Sequence, residues 1–330
     1  MKSWRVLVTG GAGYIGSVVA ERLIREGHAT TVLDNLERGH RDAVPAQATF
    51  IEADLRDGVG LRRALDGMHF DFVVHLAAAS LVGESMENPG KYFGNNLGGG
   101  VHLLDAAVTA GARGFVFSSS AATYGDPESI PIREDAPTIP TNAYGESKLL
   151  FERILAWYSR LKNLRYASLR YFNAAGATEE RGEDHEPETH LIPRVLEAAR
   201  EETEVEIFGE DYPTPDGTCI RDYIHIVDLA EAHLKAMHAL DRGIEGIFNL
   251  GNGSGYSVKE VISVAEQVTG KKIRTRIAPR RPGDPPALVA SSEKARTVLG
   301  WNPTRGDLRE IIASAWNWHA AHPRGYAPRH

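Results

Sequence analysis

One cysteine, Cys219, stands in 330 residues. A lone thiol excludes an internal disulfide and any Cys-rich metal site, and it suits a reducing compartment. Long apolar runs are also missing. Ahead of Gly10, Gly11 and Gly13 the chain has Lys2 and Arg5 but no stretch fit for a secretory leader or a membrane span, so a cytoplasmic setting and no membrane partner are expected. Neither sign of charge dominates. With 37 Lys and Arg against 44 Asp and Glu, well mixed and netting −7, there is no footprint for nucleic acid or an anionic membrane. Sequence repeats, low-complexity tracts and sustained heptads are absent too. What remains is an ordinary globular chain, long enough for one large domain or two moderate ones.

Its periodicity alternates. Arg5–Thr9 (RVLVT) is a short apolar run ending in glycines, and Tyr14–Glu26 then carries Ile15, Val18, Val19 and Leu23 at helical spacings until Gly27. Strand-like runs recur at Thr30–Leu33, Phe72–Leu76, Gly114–Phe117 and Tyr166–Leu169, with helical stretches between them such as Lys91–Ala110 and Ala143–Arg160. The order predicts an α/β fold, a Rossmann-type doubly wound parallel sheet. After Arg170 the composition shifts: Tyr171–His190 is rich in Gly, Glu, Asp and His, and Pro/Gly-rich loops follow at Gly209–Thr218 and Pro279–Pro286. This predicts a smaller mixed α/β substrate-binding lobe over 173–330 beside a dinucleotide-binding domain over 1–172, which the chain can re-enter later.

Gly10, Gly13 and Gly16 follow the first strand and open the first helix, with Tyr14 and Ile15 between them. Missing Cβ atoms at such a junction let backbone approach a pyrophosphate, which the helix N-terminus attracts. About twenty residues on, Asp34 and Asn35 end the next strand; an acidic side chain there binds both hydroxyls of an adenosine ribose and repels a 2′-phosphate, favouring NAD over NADP. Arg38 and Arg41 read as solvated charge. Asp54 suits either an adenine contact or a helix cap, and Leu76, Ala77 and Ala78 make a small-residue floor at the end of another strand.

Two further segments carry chemistry. FSSSAATYG (117–125) brings three hydroxyls to a strand end, and Tyr144 and Lys148, four apart, share one face of a helix. A neighbouring ammonium favours a phenolate, turning a tyrosine into a usable base. The glycine loop after Thr9, Ser120 after a central strand, and Y-x-x-x-K at Tyr144 and Lys148 together resemble the extended short-chain dehydrogenase/reductase family. The resemblance implies that Ser120 holds a substrate hydroxyl, Tyr144 exchanges its proton, and Lys148 binds the nicotinamide ribose. It adds Leu55, Asn95, Ser118 and Phe172 to the NAD site. Dehydratases of the family carry Asp-Glu directly after the Ser/Thr; here Ala121 and Ala122 stand in those places and cannot shuttle protons.

Within the family the chain is most similar to the UDP-sugar 4-epimerases, over VTGGAGYIGS (8–17), VGES (82–85), RYFNAAGA (170–177) and RDYIHIVDLA (221–230). That likeness implies an isomerase that interconverts UDP-galactose and UDP-glucose through a 4-keto sugar, working as a homodimer paired through helices 91–110 and 143–160. UDP-N-acetylhexosamines or another nucleotide sugar are alternative substrates; a net dehydrogenase/reductase and a non-catalytic nucleotide sensor are less well supported. Substrate contacts are expected from Ser120, Tyr144, Asn173, His190, Leu191, Phe208, Arg221, Arg281, Asp284 and Leu288. Arginine forks suit a diphosphate and Phe208 offers a face for uracil, although Arg221 can instead pair with Asp222, Arg281 with Asp284, and Phe208 can be core. His185, His190 and His225 match no HExxH or comparable signature, so no catalytic metal is expected.

Overall fold

The computed structural model describes residues 2–281 and 284–326. Its strands are β1 (Arg5–Thr9), β2 (Ala29–Asp34), β3 (Thr49–Glu52), β4 (Phe72–His75), β5 (Gly114–Ser120), β6 (Arg165–Tyr171), β7 (Asn173–Ala175), β8 (Glu204–Phe208), β9 (Ile220–His225), β10 (Gly246–Leu250), β11 (Gly255–Ser257), β12 (Arg274–Ala278) and β13 (Ala287–Leu288). Seven of them form one parallel sheet in the order β10-β6-β5-β4-β1-β2-β3. The chain runs outward from β1 through β2 to β3, then returns to lay β4 on the other side of β1. That reversal opens a crevice at the carboxyl ends of β1 and β4, where such sheets bind ligands.

These strands are apolar on both faces because both faces are covered. Val6, Val8, Val32 and Val74 pack with the helices Tyr14–Arg25 and Ile226–Asp241, while Leu7, Leu33, Val73, Phe115 and Phe117 pack with Gly100–Thr109 and Ala143–Lys162. The chain re-enters the sheet after residue 172: the helix Ile226–Asp241 leads to β10, which pairs with β6. A second sheet, β11-β9-β13 with β7 also on β9, and the pair β12-β8 lie outside it. Their core is separate, built around Ile192, Val195, Ile207, Val261 and Ile311.

Two expected elements differ. The helical stretch expected over 91–110 consists of Pro89–Tyr92, a π-helical segment Phe93–Gly99, and Gly100–Thr109. Glycines here admit close packing: a Cβ on Gly100 would stand 2.3 Å from Phe151 on the neighbouring helix. The strand expected to end at Phe117 continues to Ser120, because its hydroxyls find buried partners.

Candidate active site

Gly10 has φ +72°, and a Cβ there would lie 2.5 Å from Ala77 N; a Cβ on Gly16 would lie 2.1 Å from Gly10 O. Both positions therefore exclude larger residues, and the loop packs against Leu76 and Ala77 at the β1/β4 crevice. Gly13 caps the helix Tyr14–Arg25 without a side chain, and its first turn holds no acidic residue, so its N-terminal dipole is left for an anion. Asp34 is buried and fixed, its Oδ2 accepting from Ala12 N at 3.0 Å and Oδ1 from Leu36 N at 2.9 Å. Asn35 donates to Asp54 Oδ2 at 3.0 Å. Asp54 is not a helix cap: Asp57 holds that place, and Asp54 pairs with Arg56, which keeps its carboxyl down at about 2. Leu55 is buried beside Gly99, and Asn95 donates to Asn96 Oδ1 at 3.0 Å. Tyr14 is buried and donates to Gly176 O, tying the loop to the strand β7 region.

The residues expected to transfer the proton converge at the end of β5. Ser120 Oγ accepts from Ala122 N at 3.1 Å, and Tyr144 stands close by on a helix capped by Asn142, whose Gly145 packs against Ala122 O. Lys148, one turn on, is 3% exposed and donates to Ser118 O at 2.8 Å. The expected electrostatics are only half present. Burial raises the Tyr144 phenol above its ordinary value and the neighbouring Ser120 hydroxyl draws it part of the way back, while the Lys148 ammonium sits 5.7 Å from the ring centroid. Burial lowers Lys148 itself to about 7, against the pull of Glu152.

Beneath them lies a network that sequence reasoning missed. Ser119 Oγ donates to Glu152 Oε1 at 2.6 Å, and Arg170 closes a buried ion pair with Glu152. Ser118 bonds the Tyr171 hydroxyl. Asn96 is buried, bonding both the N–H and the C=O of Ala79 and donating to Ser147 Oγ at 2.9 Å. Its signal was the Asn95-Asn96 doublet, of which only Asn95 was singled out. Tyr124 is 1% exposed and donates to Asn249 Oδ1.

On the second sheet, β9 joins the expected substrate residues. Asn173 lies opposite Tyr223 and donates to Asp222 O at 3.0 Å, and Leu288 lies opposite Arg221. Arg221 pairs with Asp284 rather than with Asp222. Asp222 is buried and accepts the N–H groups of Asn252, Gly253 and Ala290; burial nonetheless raises its pKa to about 6. Arg281 stacks its guanidinium 3.9 Å from the Phe208 ring centroid. Leu288 packs against the cluster of Ala121, Tyr124 and Phe172, which joins this surface to the end of β5. Leu191 opens the helix Leu191–Glu201, and just before it the half-exposed His190 has its Nδ1 2.8 Å from Glu183 Oε1 and 2.9 Å from Glu188 Oε1. That nitrogen faces carboxylates.

A doubly wound sheet with a glycine loop at its switch point and a Ser/Tyr/Lys group beside the crevice is the arrangement of the short-chain dehydrogenase/reductase class. Residues 6–251 match the NAD dependent epimerase/dehydratase family, to which the chain belongs. A UDP-glucose 4-epimerase of Lacticaseibacillus casei is 49% identical over 328 residues, 98% of this chain and 99% of that protein. The Brucella ovis UDP-glucose 4-epimerase, solved with NAD, has a TM-score of 0.91 at 45% identity over 94% of this chain and 97% of its own. The Bifidobacterium longum enzyme, solved with NAD+ and UDP, has a TM-score of 0.91 at 38% identity over 98% of this chain and 100% of its own.

Proposed function

We infer that the chain interconverts UDP-galactose and UDP-glucose by NAD-dependent epimerisation at C4. The observation carrying this reading is Ser120, followed by Ala121 and Ala122, at the same strand end as Tyr144 and the buried Lys148, a site equipped to move one proton and nothing more. The L. casei relative, alike over nearly its whole length, supports it. Residues that fit NAD are present: the uncapped helix at Gly13, the tight Gly10 and Gly16 turn, and the fixed Asp34. NAD, when bound, supplies a reversible hydride acceptor and the positive charge of its oxidised ring.

The chain's own residues do the rest. Ser120 orients the C4 hydroxyl, and Tyr144, its phenol lowered by added positive charge, takes the O4 proton. A 4-keto sugar results, and Tyr144 returns the proton after the hexose turns its other face. Turning requires UDP to be held while the sugar is not. Arg221, Arg281, Asp284, Phe208, Asn173 and Leu191 hold the nucleotide in this reading, and Leu288 bounds the hexose. Residues to 172, with β10, form the cofactor half; the second sheet forms the substrate half. We further propose a homodimer, supported by Trp157 and Leu161, one turn apart and exposed on the helix Ala143–Lys162. The single buried cysteine supports a cytoplasmic setting; among the described residues no helix is long and apolar enough to cross a membrane.

Incubating NAD-loaded protein separately with UDP-galactose and UDP-N-acetylgalactosamine, then resolving the epimers, tests the function and its breadth at Leu288. Conversion of the first supports this reading; inertness toward both refutes it, and accumulation of stoichiometric NADH identifies a net dehydrogenase.

A further inference from the structure

Between β7 and the helix Leu191–Glu201 the chain reads Glu183-x-His185-x-x-Glu188-x-His190. The fold turns all four side chains onto one point. His190 Nδ1 lies 2.8 Å from Glu183 Oε1 and 2.9 Å from Glu188 Oε1; His185 Nδ1 lies 3.2 Å from Glu183 Oε1 and 3.6 Å from Glu188 Oε2. One donor atom from each residue falls within 4.8 Å of the other three. Four ligands set tetrahedrally around zinc at 2.0–2.1 Å stand about 3.3 Å from one another, a spacing the four contacts straddle.

A second observation separates this group from an ordinary ion-pair cluster. His185 Nδ1 is sealed from solvent and has no hydrogen-bond partner among the described residues, although carboxylate oxygens flank it on two sides. Those oxygens stand 3.2 and 3.6 Å from it, close to the separation of two ligands on one centre. Glu183 is only 6% exposed, and the groups that meet its charge are His185 and His190, at 3.2 and 2.8 Å. Two carboxylates and two neutral imidazoles balance one divalent cation, and a mixed nitrogen and oxygen set suits zinc rather than calcium or magnesium, which take oxygen.

We propose that Glu183, His185, Glu188 and His190 bind one zinc-class divalent cation in a closed, four-ligand structural site. It lies apart from Tyr144 in role and does not depend on the epimerase reading. Its segment bridges distant parts of the chain. Arg38 donates to Glu186 O at 2.8 Å, His40 Nε2 lies 2.9 Å from Asp184 O, Arg181 donates to Ala43 O at 3.0 Å, and Tyr326 N donates to Asp184 Oδ2 at 2.9 Å. A cation at its centre fixes this bridge and the start of the helix that carries Leu191.

The test uses the full-length, NAD-loaded protein, stripped with a chelator and re-equilibrated with zinc, magnesium or calcium. The expected result is one zinc per chain retained through gel filtration, a melting temperature several degrees higher with zinc, and no comparable effect of the other two ions. Cobalt in place of zinc should give the intense visible spectrum of a tetrahedral ion. His185→Ala and Glu188→Gln should each abolish stoichiometric zinc, and His185→Cys, which restores a ligand, should regain it. Zinc well below one per chain in the wild type, an unmoved melting temperature, a weak octahedral cobalt spectrum, or retention of zinc by both ligand-deleting variants would each overturn the site. Because the metal content, melting and cobalt readings need only the wild type, an unstable variant does not blunt the test.

Discussion

The end of β5 and the surface around β9 both carry charged groups beside the candidate site, yet they hold them differently. At β5 the charges are locked: Arg170 and Glu152 are each 3% exposed, and Lys148 is buried on a backbone carbonyl. At β9 they are looser. Arg221 and Asp284 are 14% and 31% exposed, and Arg281 rests on an aromatic face rather than in a carboxylate's grip. In the proposed function the difference follows from two tasks. A proton relay loses rate when its geometry drifts by fractions of an ångström, whereas a diphosphate site must exchange an internal partner for a ligand, which a fully buried pair resists.

Breaking the rigid side should give the largest effects. Tyr144→Phe should lower turnover about 10²- to 10⁴-fold, the range for a positioned acid-base group, with UDP binding by calorimetry little changed; near-normal turnover would remove Tyr144 from the chemistry. Glu152→Ala leaves Arg170 buried and unpaired, which should cost about 3–5 kcal/mol of stability in urea unfolding. A loss below about 1 kcal/mol would mean the β5 network is no stiffer than a surface pair.

On the looser side, Arg221→Ala should weaken UDP affinity by about 1.5–3 kcal/mol with turnover largely kept at saturating substrate, since a charge-assisted bond is lost from the nucleotide and not from the hexose. An undiminished affinity would take the diphosphate away from β9. The smallest effect concerns pH and discriminates burial itself. Burial holds His225 and His233 to about 4 and His75 to about 3, against about 6.5 in an unfolded chain. As pH falls from about 6.5 toward 4 the unfolded chain takes up protons that the native chain refuses, so stability drops by up to about 1.4 kcal/mol per pH unit per histidine. His225 adds a structural reason: its Nδ1 accepts from Val227 N at 3.1 Å and caps the helix Ile226–Asp241, a bond that protonation destroys. His233→Met should flatten the slope of unfolding free energy between pH 7 and pH 5; an unchanged slope would show that His233 is not held neutral.

Much of the rigid side was legible because its signals are local. Strand, glycine turn and helix occupy one stretch of chain, and Tyr144 and Lys148 share a helix face by periodicity alone. Partners across the fold were not legible. Nothing near Glu152 announces Arg170, and Arg221 has an adjacent Asp222 that looks the natural partner until β9 turns Asp222 inward to backbone N–H groups and leaves Arg221 facing Asp284. The histidines show the same limit: Glu183, His185, Glu188 and His190 fit no familiar signature, and only the folded segment makes their side chains converge.

The sequence by itself therefore determined the parallel α/β architecture, the glycine turn and the shared helix face of Tyr144 and Lys148, since each depends on interactions a few residues apart. Tertiary structure decided which charges are paired, which hydroxyls are spoken for, and that residues 246–250 complete a sheet begun at residue 5. Those outcomes depend on burial and on partners brought together from far along the chain, and neither can be read from neighbours in sequence.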